Sequence, residues 1–394
     1  MMTPLTVLRS HTVSVDAATF LPLAGGSDCD DSSSPMAPLP STIGGDSLLL
    51  ATGGGDGEVK LWDVARRRVA HEWAAHAALG VLALIPLRAQ QHHHQRLLSH
   101  GRDGMLKVWD LAGGRSALAV SLQSAVSVGS FTFCRAVAHE GAASLLPPDG
   151  GDGDGAESAA AAAAVVPPTA AAALHPEWII APSDESGVLH LWDTRAPGVS
   201  RTLRLNVESS GDQSGLGMCM ALRSFERGGG SGEALVAAAF EGGRLCVADI
   251  AAGRVAMKMD VAVHAASDAL LSVDVGAGGL RAVCAGASRT LSFIAMNHDT
   301  FEARVEATIE LPNRGVGRVL LRPCDQRVVA TAGWDGRVRV YQWKRPKALA
   351  VLRAHEGAVH DVSFSPNGTL LASAGKDGHA MLWSVFPPNV TPRR

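Results

Sequence analysis

The chain has 394 residues, a formal net charge of −3 and 19% charged residues. A chain of this length usually divides into two or three domains, and the near-neutral charge excludes the global basic field that favours nucleic acid. Its six cysteines are scattered without a Cys-x-x-Cys pair, so we expect a reducing compartment, with neither a disulfide framework nor a zinc site. No signal-peptide layout opens the chain, and the longest apolar run is an alanine tract that prolines interrupt, so we expect no membrane segment.

The N-terminal residues predict a strand that completes a repeat rather than beginning one. Residues 3–8 are mostly apolar and lead within three residues to His11, much as residues 348–352 lead to His355. The inner strands of that repeat would then be the last strands of the chain. Pairing residues 3–8 with them would close a ring of repeats and remove an exposed sheet edge.

Repeat one, residues 11–64, carries the signature that recurs along the chain. A hydroxyl at Thr52 is followed four residues later by Asp56 in an Asp-Gly turn, and six residues after that by Trp62. Asp-Gly between two apolar segments is a strong signal for a tight β-hairpin. A Gly-, Ser- and Pro-rich segment at 23–45 divides this repeat and is interpreted as a flexible surface loop.

The same register occurs in four segments and is too regular to be a chance match. Each segment has a hydroxyl, an Asp four residues later and an aromatic residue six residues after the Asp. The four sets are Thr52, Asp56 and Trp62; Ser99, Asp103 and Trp109; Thr331, Asp335 and Tyr341; and Ser373, Asp377 and Trp383. Histidines precede three of these sets, at His11, His76 and His355. A single small sheet cannot bury both of its faces, so a repeated sheet implies repeats that stack against one another.

Repeat two keeps this register, and repeat three departs from it. Repeat two spans about 69–111 and is compact. Repeat three ends in Trp192-Asp193, but Ser186 replaces the turn Asp, which predicts a weaker internal hydrogen-bond chain. Before it lies a Gly-, Asp-, Ala- and Pro-rich insertion at 140–176, interpreted as disordered because its composition cannot supply a packed core.

Repeats four to six are identified mainly by spacing. Repeat four lies around 235–250 and has Ala248 where a Trp would stand. In repeat five, His264 is the candidate histidine and Phe293 stands at the aromatic position. Repeat six has a good turn and an aromatic residue but no matching histidine. With the closing repeat, the count is seven.

These repeats resemble the WD40 family, whose members fold as β-propellers. The resemblance implies an all-β fold in which residues 1–394 form a single seven-bladed WD40 propeller, closed by the N-terminal strand pairing with the C-terminal blade. It also implies that the His, hydroxyl, Asp and Trp of a good repeat form a buried hydrogen-bonded chain. An Asp in a tight turn needs donors, and a neutral imidazole can donate one hydrogen bond while it accepts another. We therefore interpret these residues as scaffold and expect no metal, cofactor or catalytic role for them.

A closer resemblance involves the C-terminal part of the chain. The turn Gly333-Trp334-Asp335 and the ending at 382–387 are similar to the ASTRA-associated protein 1 family, whose animal members are called G-protein beta-subunit-like protein 1. The resemblance implies a monomeric subunit of a larger complex that works with Tel2-type co-chaperones and RuvB-like ATPases. These proteins assist maturation of the PI3K-related kinases, and the complex is tied to chromatin. The nucleus and the cytoplasm are the expected locations.

Trp334 is the first candidate for partner binding. It lies beside the turn Asp335, outside the strand position held by Tyr341, so the repeat does not require its ring in the core. Either the ring projects from the hairpin tip, where an exposed apolar side chain usually needs a neighbour to cover it, or it packs across an adjacent blade.

A second function class rests on Trp192-Asp193-Thr194-Arg195. This segment fits the W-D-x-R box of substrate receptors of cullin-4 ubiquitin ligases, in which the Arg contacts the adaptor, so Arg195 is the second candidate for partner binding. No Walker-type loop, G-x-S-x-G, H-E-x-x-H or kinase signature is present in the sequence. The predicted function is a protein-interaction platform without catalysis, and the cullin-4 receptor is the alternative.

Overall fold

The structure is a computed structural model that describes residues 3–21, 48–77, 79–87, 95–112, 119–128, 133–139, 178–194, 201–205, 217–227, 234–250, 256–265 and 267–385. Both predicted insertions, 23–45 and 140–176, and the candidate Arg195 lie outside these residues. The described residues form β-strands and one short 3-10 helix at Ala277–Gly279. This part of the chain contains no helix long and apolar enough to span a membrane.

In the described ranges, twenty-eight strands form seven antiparallel sheets of four strands, and each sheet is one blade. Blade 1 contains β2 (Val15–Phe20), β3 (Leu49–Gly54), β4 (Glu58–Asp63) and β5 (Arg68–Ala74). Blade 2 contains β6 (Val81–Leu87), β7 (Gln95–Gly101), β8 (Met105–Ala112) and β9 (Ala119–Ser127). Blade 3 contains β10 (Val137–His139), β11 (Trp178–Pro182), β12 (Val188–Asp193) and β13 (Arg201–Arg204).

The remaining blades follow in chain order, and only the last uses strands from both ends of the chain. Blade 4 contains β14 (Cys219–Glu226), β15 (Ala234–Phe240), β16 (Arg244–Asp249) and β17 (Ala256–Ala262). Blade 5 contains β18 (Leu270–Val275), β19 (Arg281–Gly286), β20 (Thr290–Asn297) and β21 (Glu302–Glu310). Blade 6 contains β22 (Val316–Leu321), β23 (Val328–Gly333), β24 (Arg337–Gln342) and β25 (Lys347–Arg353). Blade 7 contains β26 (Val359–Phe364), β27 (Leu370–Gly375), β28 (His379–Ser384) and β1 (Thr6–Arg9).

The burial of each strand follows its position within the blade. In blade 6, β23 is buried at every residue, because the neighbouring blades cover both of its faces. The outer strand β21 of blade 5 instead alternates exposed and half-buried residues, and its exposed positions are mostly Glu and Arg. Charged outer strands discourage edge-to-edge pairing with other chains. The alternation in the sequence therefore separates inner strands from outer ones.

The N-terminal strand closes the ring. Thr6 pairs with Leu382 and Arg9 with His379 in an antiparallel ladder between β1 and β28. Leu8 is buried in the same apolar layer as Leu382. Because β1 is the first and β28 the last of the described strands, this pairing joins an N-terminal strand to a C-terminal one. The predicted all-β, seven-bladed propeller with this mode of closure is confirmed.

The aromatic positions of the repeats lie in the apolar layers between blades. Trp383 packs between blades 6 and 7, and Trp109 packs between blades 1 and 2. In blade 5 the equivalent position is held by Ile294, which packs toward blade 4. The expectation for Phe293 is therefore wrong by one residue, because its ring lies in the layer toward blade 6, 5.8 Å from the ring of Trp343. Consecutive strand residues point to opposite faces, so a shift of one residue exchanges the two layers.

The ring has two faces that carry different connections. We call the upper face the one that holds the turn between the second and third strands of each blade, together with the connection to the next blade. The lower face holds the other connections. Residues 22–47 and 140–177 join first strands to second strands, so the chain enters and leaves both segments at the lower face.

Candidate interaction site

Blade 7 contains a complete hydrogen-bonded chain beneath the upper face. His355 Nδ1 lies 2.9 Å from one carboxylate oxygen of Asp377 and 3.1 Å from the other. On its other side, His355 Nε2 lies 2.7 Å from Ser373 Oγ, which accepts the Trp383 indole N–H at 2.9 Å. Blade 2 repeats this arrangement through His76, Asp103, Ser99 and Trp109, with contacts of 2.8 and 2.9 Å.

The chemistry of these chains requires a neutral histidine. Burial lowers the pKa of His355 and His76, although the Asp carboxylates oppose that effect. Because an ionised carboxylate only accepts, Nδ1 must carry the proton, and Nε2 then accepts from the Ser hydroxyl. Each imidazole therefore joins a surface turn to a Trp in the layer between blades, and the turn is held in one position.

Blade 1 contains the same residues with one link absent. His11 Nε2 lies 2.8 Å from Thr52 Oγ1, which accepts the Trp62 indole N–H at 2.8 Å. His11 Nδ1 is buried without a hydrogen-bond partner, so the predicted contact between His11 and Asp56 is not formed. Asp56 instead accepts the backbone N–H of Glu58 at 3.1 Å. Burial and the Lys60 ammonium lower the pKa of His11 to about 4.

Blade 6 replaces the missing histidine with a different set of donors. Asn313, 22 residues before Asp335, donates to it from Nδ2 at 2.9 Å. The Arg339 guanidinium donates to both oxygens of the same carboxylate, from Nη1 to Oδ1 at 3.0 Å and from Nη2 to Oδ2 at 2.5 Å. These donors lower the pKa of Asp335 to about 2 against the opposing effect of its burial. Thr331 Oγ1 does not reach this carboxylate and donates instead to the Arg339 carbonyl oxygen at 3.4 Å.

His264 occupies the histidine position of blade 5, but its partners are all hydroxyls. Its Nδ1 lies 3.1 Å from Ser288 Oγ, where a turn Asp would stand, and its Nε2 lies 2.9 Å from Thr290 Oγ1. Ser292 Oγ lies 3.2 Å from the same Nε2. A Ser at the turn position is shorter than an Asp, and a cavity of about 430 Å³ lies among these side chains.

Trp334 lies on the upper face, half in contact with the ring of blades and half in solvent. It is 47% exposed. Its backbone N–H donates to the Gly315 carbonyl at 3.0 Å, and its indole covers Gly315 so closely that a Cβ there would come within 2.1 Å of the ring. Gly315 has a φ of +91°, which an L side chain rarely adopts. One side of the indole therefore packs against Gly315, and the other side of the indole is exposed to solvent.

Other large apolar side chains are exposed on the same face. They sit in the connections that lead into the next blade, one connection each, and are Val13 (39% exposed), Leu79 (52%), Phe133 (64%) and Met218 (38%). The Arg102 guanidinium lies 5.8 Å from the centre of the Phe133 ring. A rim of separated apolar side chains on a rigid ring is suited to contact with another protein.

The residues of the W-D-x-R segment have different surroundings. Trp192 is 1% exposed and Asp193 is 9% exposed, and Trp192 packs in the apolar layer between blades 2 and 3. Both residues therefore belong to the packing of blade 3. Arg195, on which the adaptor contact depends, lies outside the described residues.

Charged residues of the innermost strands line the central channel, and the repeat signature gives no hint of them. Arg135 leads into blade 3 and reaches across to blade 7, where its Nη1 lies 2.6 Å from Asp361 Oδ1. Asp361 Oδ2 also accepts the backbone N–H of Ala18 at 3.0 Å, which ties blade 7 to blade 1. The available signal in the sequence is a charged residue inside an inner strand, as at Asp361 and at Arg318. The described residues bring no three metal-binding side chains together.

Comparison with known proteins agrees with this architecture. The family model described as "WD domain, G-beta repeat" matches residues 42–63 and 346–384. Mouse "Guanine nucleotide-binding protein subunit beta-like protein 1" is 29% identical over 88% of this chain and 90% of its own length. "ASTRA-associated protein 1" of Verticillium alfalfae is 26% identical over 97% of this chain and 93% of its own. The protein of the same name from Schizosaccharomyces pombe is 40% identical, but over only 16% of this chain.

The repeat model, the seven blades and the long alignments all lead to one assignment. The WD40 model covers part of blade 1 and most of blade 7, where the signature is complete or nearly so. The two long alignments extend through the degenerate blades as well. This chain is a WD40-repeat β-propeller protein and a homologue of the proteins named ASTRA-associated protein 1 and guanine nucleotide-binding protein subunit beta-like protein 1.

Proposed function

We propose that this protein is a non-catalytic interaction scaffold and acts as a subunit of an ASTRA-type complex. The observation that carries the proposal is the reach of the similarity. The mouse beta-like protein 1 and the Verticillium alfalfae ASTRA-associated protein 1 align over 88% and 97% of the chain, whereas two Schizosaccharomyces proteins of the latter name align over 16% of it. Proteins with other names, such as the "Small ribosomal subunit protein RACK1" of Caenorhabditis elegans, align over 15% of it. A short match of this kind reflects the repeat itself, whereas a match along the whole ring points to a shared role.

The proposed partners are Tel2-type co-chaperones and RuvB-like ATPases, with PI3K-related kinases as the proteins whose maturation they assist. The corresponding locations are the nucleus and the cytoplasm, with a link to chromatin. These details rest on the family resemblance. The fold contributes the mode of action, because a propeller presents short loops on a rigid frame, and loops of that kind carry binding.

We place the partner contact on the upper face, with Trp334 at its centre. Trp is the residue most often found at energetic centres of interfaces, since it buries a large rigid area with little loss of rotamer freedom. The indole is already fixed against Gly315, so binding would not have to immobilise it. The lower face is less suited, because the chain enters and leaves both long insertions there.

The cullin-4 substrate receptor is the alternative, from a second function class. It depends on Arg195 in an accessible position, and the two preceding residues that the motif requires, Trp192 and Asp193, are buried in blade 3. Packing inside blade 3 is a sufficient reason for a Trp and an Asp at these two positions, so their presence does not indicate an adaptor contact. No observation therefore favours this alternative over the ASTRA-type role.

Affinity purification separates the two functions. The full chain carrying a C-terminal tag is expressed in cells, and the recovered proteins are quantified for Tel2-type co-chaperones, RuvB-like ATPases and the cullin-4 adaptor. We expect the first two to be enriched and the adaptor to stay at background. Enrichment of the adaptor that is lost on Arg195→Ala, with the co-chaperones at background, would replace the proposal by the alternative.

A further inference from the structure

The upper face holds a cavity of about 430 Å³ beside the turn between the second and third strands of blade 5. Its walls come from that turn and from the connections that enter and leave the blade. Most of the lining residues are polar, and they include His264, Asp268, Ser288, Thr290, Ser292 and Arg314. Ala265 and Arg289 also line the cavity and are exposed, so the cavity opens to solvent.

The equivalent place in blade 7 is filled by a carboxylate. Asp377 accepts the His355 Nδ1–H at 2.9 Å and the backbone N–H of Glu356 at 3.1 Å. Blade 5 keeps the histidine, as His264, but Ser288 stands at the position of the turn Asp. Blade 5 therefore retains a donor for a carboxylate that its own turn does not supply.

His264 has hydroxyl partners in place of that carboxylate. Its Nδ1 lies 3.1 Å from Ser288 Oγ, and its Nε2 lies 2.9 Å from Thr290 Oγ1. Burial lowers the pKa of His264 against the opposing effect of Asp268, so the ring is neutral and carries one proton. With this proton on Nδ1, the ring can donate to a carboxylate in the cavity, as the ring of His355 does in blade 7. The Ser288 hydroxyl is a second donor for the same ligand.

The arginines at the cavity are already paired, so the feature that calls for a ligand is the vacant acceptor position and not an excess of charge. Arg314 Nη2 lies 2.8 Å from Asp268 Oδ1, and Arg289 Nη2 lies 3.8 Å from Glu310 Oε1. Within the described residues, the Asp268 carboxylate is hydrogen-bonded to Arg314 and not to His264. Asp268 therefore does not take the place of the missing turn Asp.

We propose, on the basis of the proposed function, that this cavity receives an Asp or Glu side chain of the partner protein, whose carboxylate takes the place of the missing turn Asp. The cavity adjoins the contact at Trp334. Gly315, against which the indole packs, donates its backbone N–H to the Ser288 carbonyl at 3.2 Å. One water occupies about 30 Å³ of liquid volume, so the cavity has room for a side chain. A single partner surface can therefore cover Trp334 and place a carboxylate beside His264.

The test is Ser288→Asp, which supplies the carboxylate from the chain itself and should exclude that of the partner. The full chain is purified by affinity, Tel2-type co-chaperones and RuvB-like ATPases are quantified per folded molecule, and Tm is measured by calorimetry. We expect Tm to rise and recovery to fall at least about tenfold, in the range of one hydrogen bond to a charged group. Because the two readouts move in opposite directions, loss of binding is not confused with loss of folding.

The matched control is Ser186→Asp. Ser186 holds the same turn position in blade 3, where the connection into the blade, residues 128–134, contains no histidine. This variant adds the same charge to the same face without filling the cavity of blade 5, and it should keep full recovery. An equal loss in Ser186→Asp would show that charge on the face decides recovery, and would overturn the inference.

The remaining outcomes separate this inference from the proposed function. Full recovery by Ser288→Asp while Trp334→Ala loses the partners overturns this inference alone, and so does a lower Tm in Ser288→Asp, because the cavity then cannot hold a carboxylate. Background recovery by the unmodified chain overturns both.

Two further outcomes name other occupants and would also overturn the assignment to a partner. The first is a saturable rise in Tm with sodium acetate beyond that with sodium chloride of matched ionic strength, absent in Ser288→Asp, which identifies a free small carboxylate. The second is a dimer in light scattering that Ser288→Asp dissociates, which identifies a second copy of the chain.

Discussion

Asp377→Ala tests whether the hydrogen-bonded chain of blade 7 stabilises the ring. In the structure the Asp377 carboxylate accepts His355 Nδ1–H and the backbone N–H groups of Glu356 and His379, at 2.9–3.2 Å. Removing the carboxylate leaves all three N–H donors without their acceptor. The two backbone groups lie at a surface turn, where water can replace the acceptor. The His355 side chain is 1% exposed and cannot be hydrated in the same way.

The magnitude follows from this difference. Losing the acceptor of one buried donor costs about 1–3 kcal/mol, and bonds to a charged group lie at the upper end. Adding a small loss for the turn amides, we expect a fall of roughly 2–4 kcal/mol in the free energy of unfolding. Asp377→Asn keeps a neutral acceptor and should lose less than Asp377→Ala.

The matched control is Asp56→Ala in blade 1. Asp56 occupies the same register and accepts the Glu58 N–H at 3.1 Å, but His11 is not bonded to it. Its loss should therefore be no more than about 1 kcal/mol. Urea titration of the three variants at pH 7.5, with equal m-values, gives the comparison directly. Equal losses for Asp56→Ala and Asp377→Ala would refute the reasoning, since position in the turn and not the histidine contact would then decide stability.

Four further predictions concern closure, titration, redesign and an insertion. Deleting residues 1–10 should unfold the ring cooperatively, because β28 loses its partner strand; a monomeric truncation with unchanged Tm in calorimetry would contradict this. Burial lowers the pKa of His100 from 6.5 to about 4, so unfolding takes up a proton below pH 6.5, and this group alone should lower the free energy of unfolding by about 2 kcal/mol between pH 7 and 5. His100→Asn should reduce the total fall by about that amount in urea titrations, and an unchanged fall would contradict this. Ser288→Asp should raise Tm, because the longer carboxylate can accept from His264; a lower Tm would show that the cavity there cannot take it. Replacing 140–176 with a short Gly/Ser linker should leave Tm nearly unchanged, since loop length costs only logarithmically, and a fall of several degrees would show that the insertion packs on the ring.

The sequence predicts the fold because the signature acts at two levels at once. Asp-Gly fixes the hairpin between the second and third strands, and the Trp six residues after the Asp fixes which face is buried. Where the signature is weak, the spacing of apolar segments still gives the strand order, but not the register. Phe293 and Ile294 illustrate this limit, since both are apolar and neighbouring strand positions point to opposite layers.

The site is less predictable than the fold, because its contacts join distant parts of the chain. Asn313 could have been found, since it precedes Asp335 by 22 residues, as His355 precedes Asp377. No spacing rule identifies the pairing of Arg135 with Asp361, which are 226 positions apart and meet only when the ring closes. No spacing rule identifies the contact between Trp334 and Gly315 either. That contact needs the backbone geometry of the connection into blade 6.

The most direct test of the central claim is the recovery of partners by Trp334→Ala. The variant is compared with Leu280→Ala, which removes an apolar side chain that is 63% exposed on the lower face. Recovery of Tel2-type co-chaperones and RuvB-like ATPases is normalised to the amount of folded protein, and Tm is measured for both variants. We predict that Trp334→Ala lowers recovery at least about tenfold, in the range of an energetic centre of an interface, with little change in Tm, while Leu280→Ala recovers the partners fully. Full recovery by Trp334→Ala, or an equal loss in Leu280→Ala, would contradict a scaffold that binds its partners through the upper face.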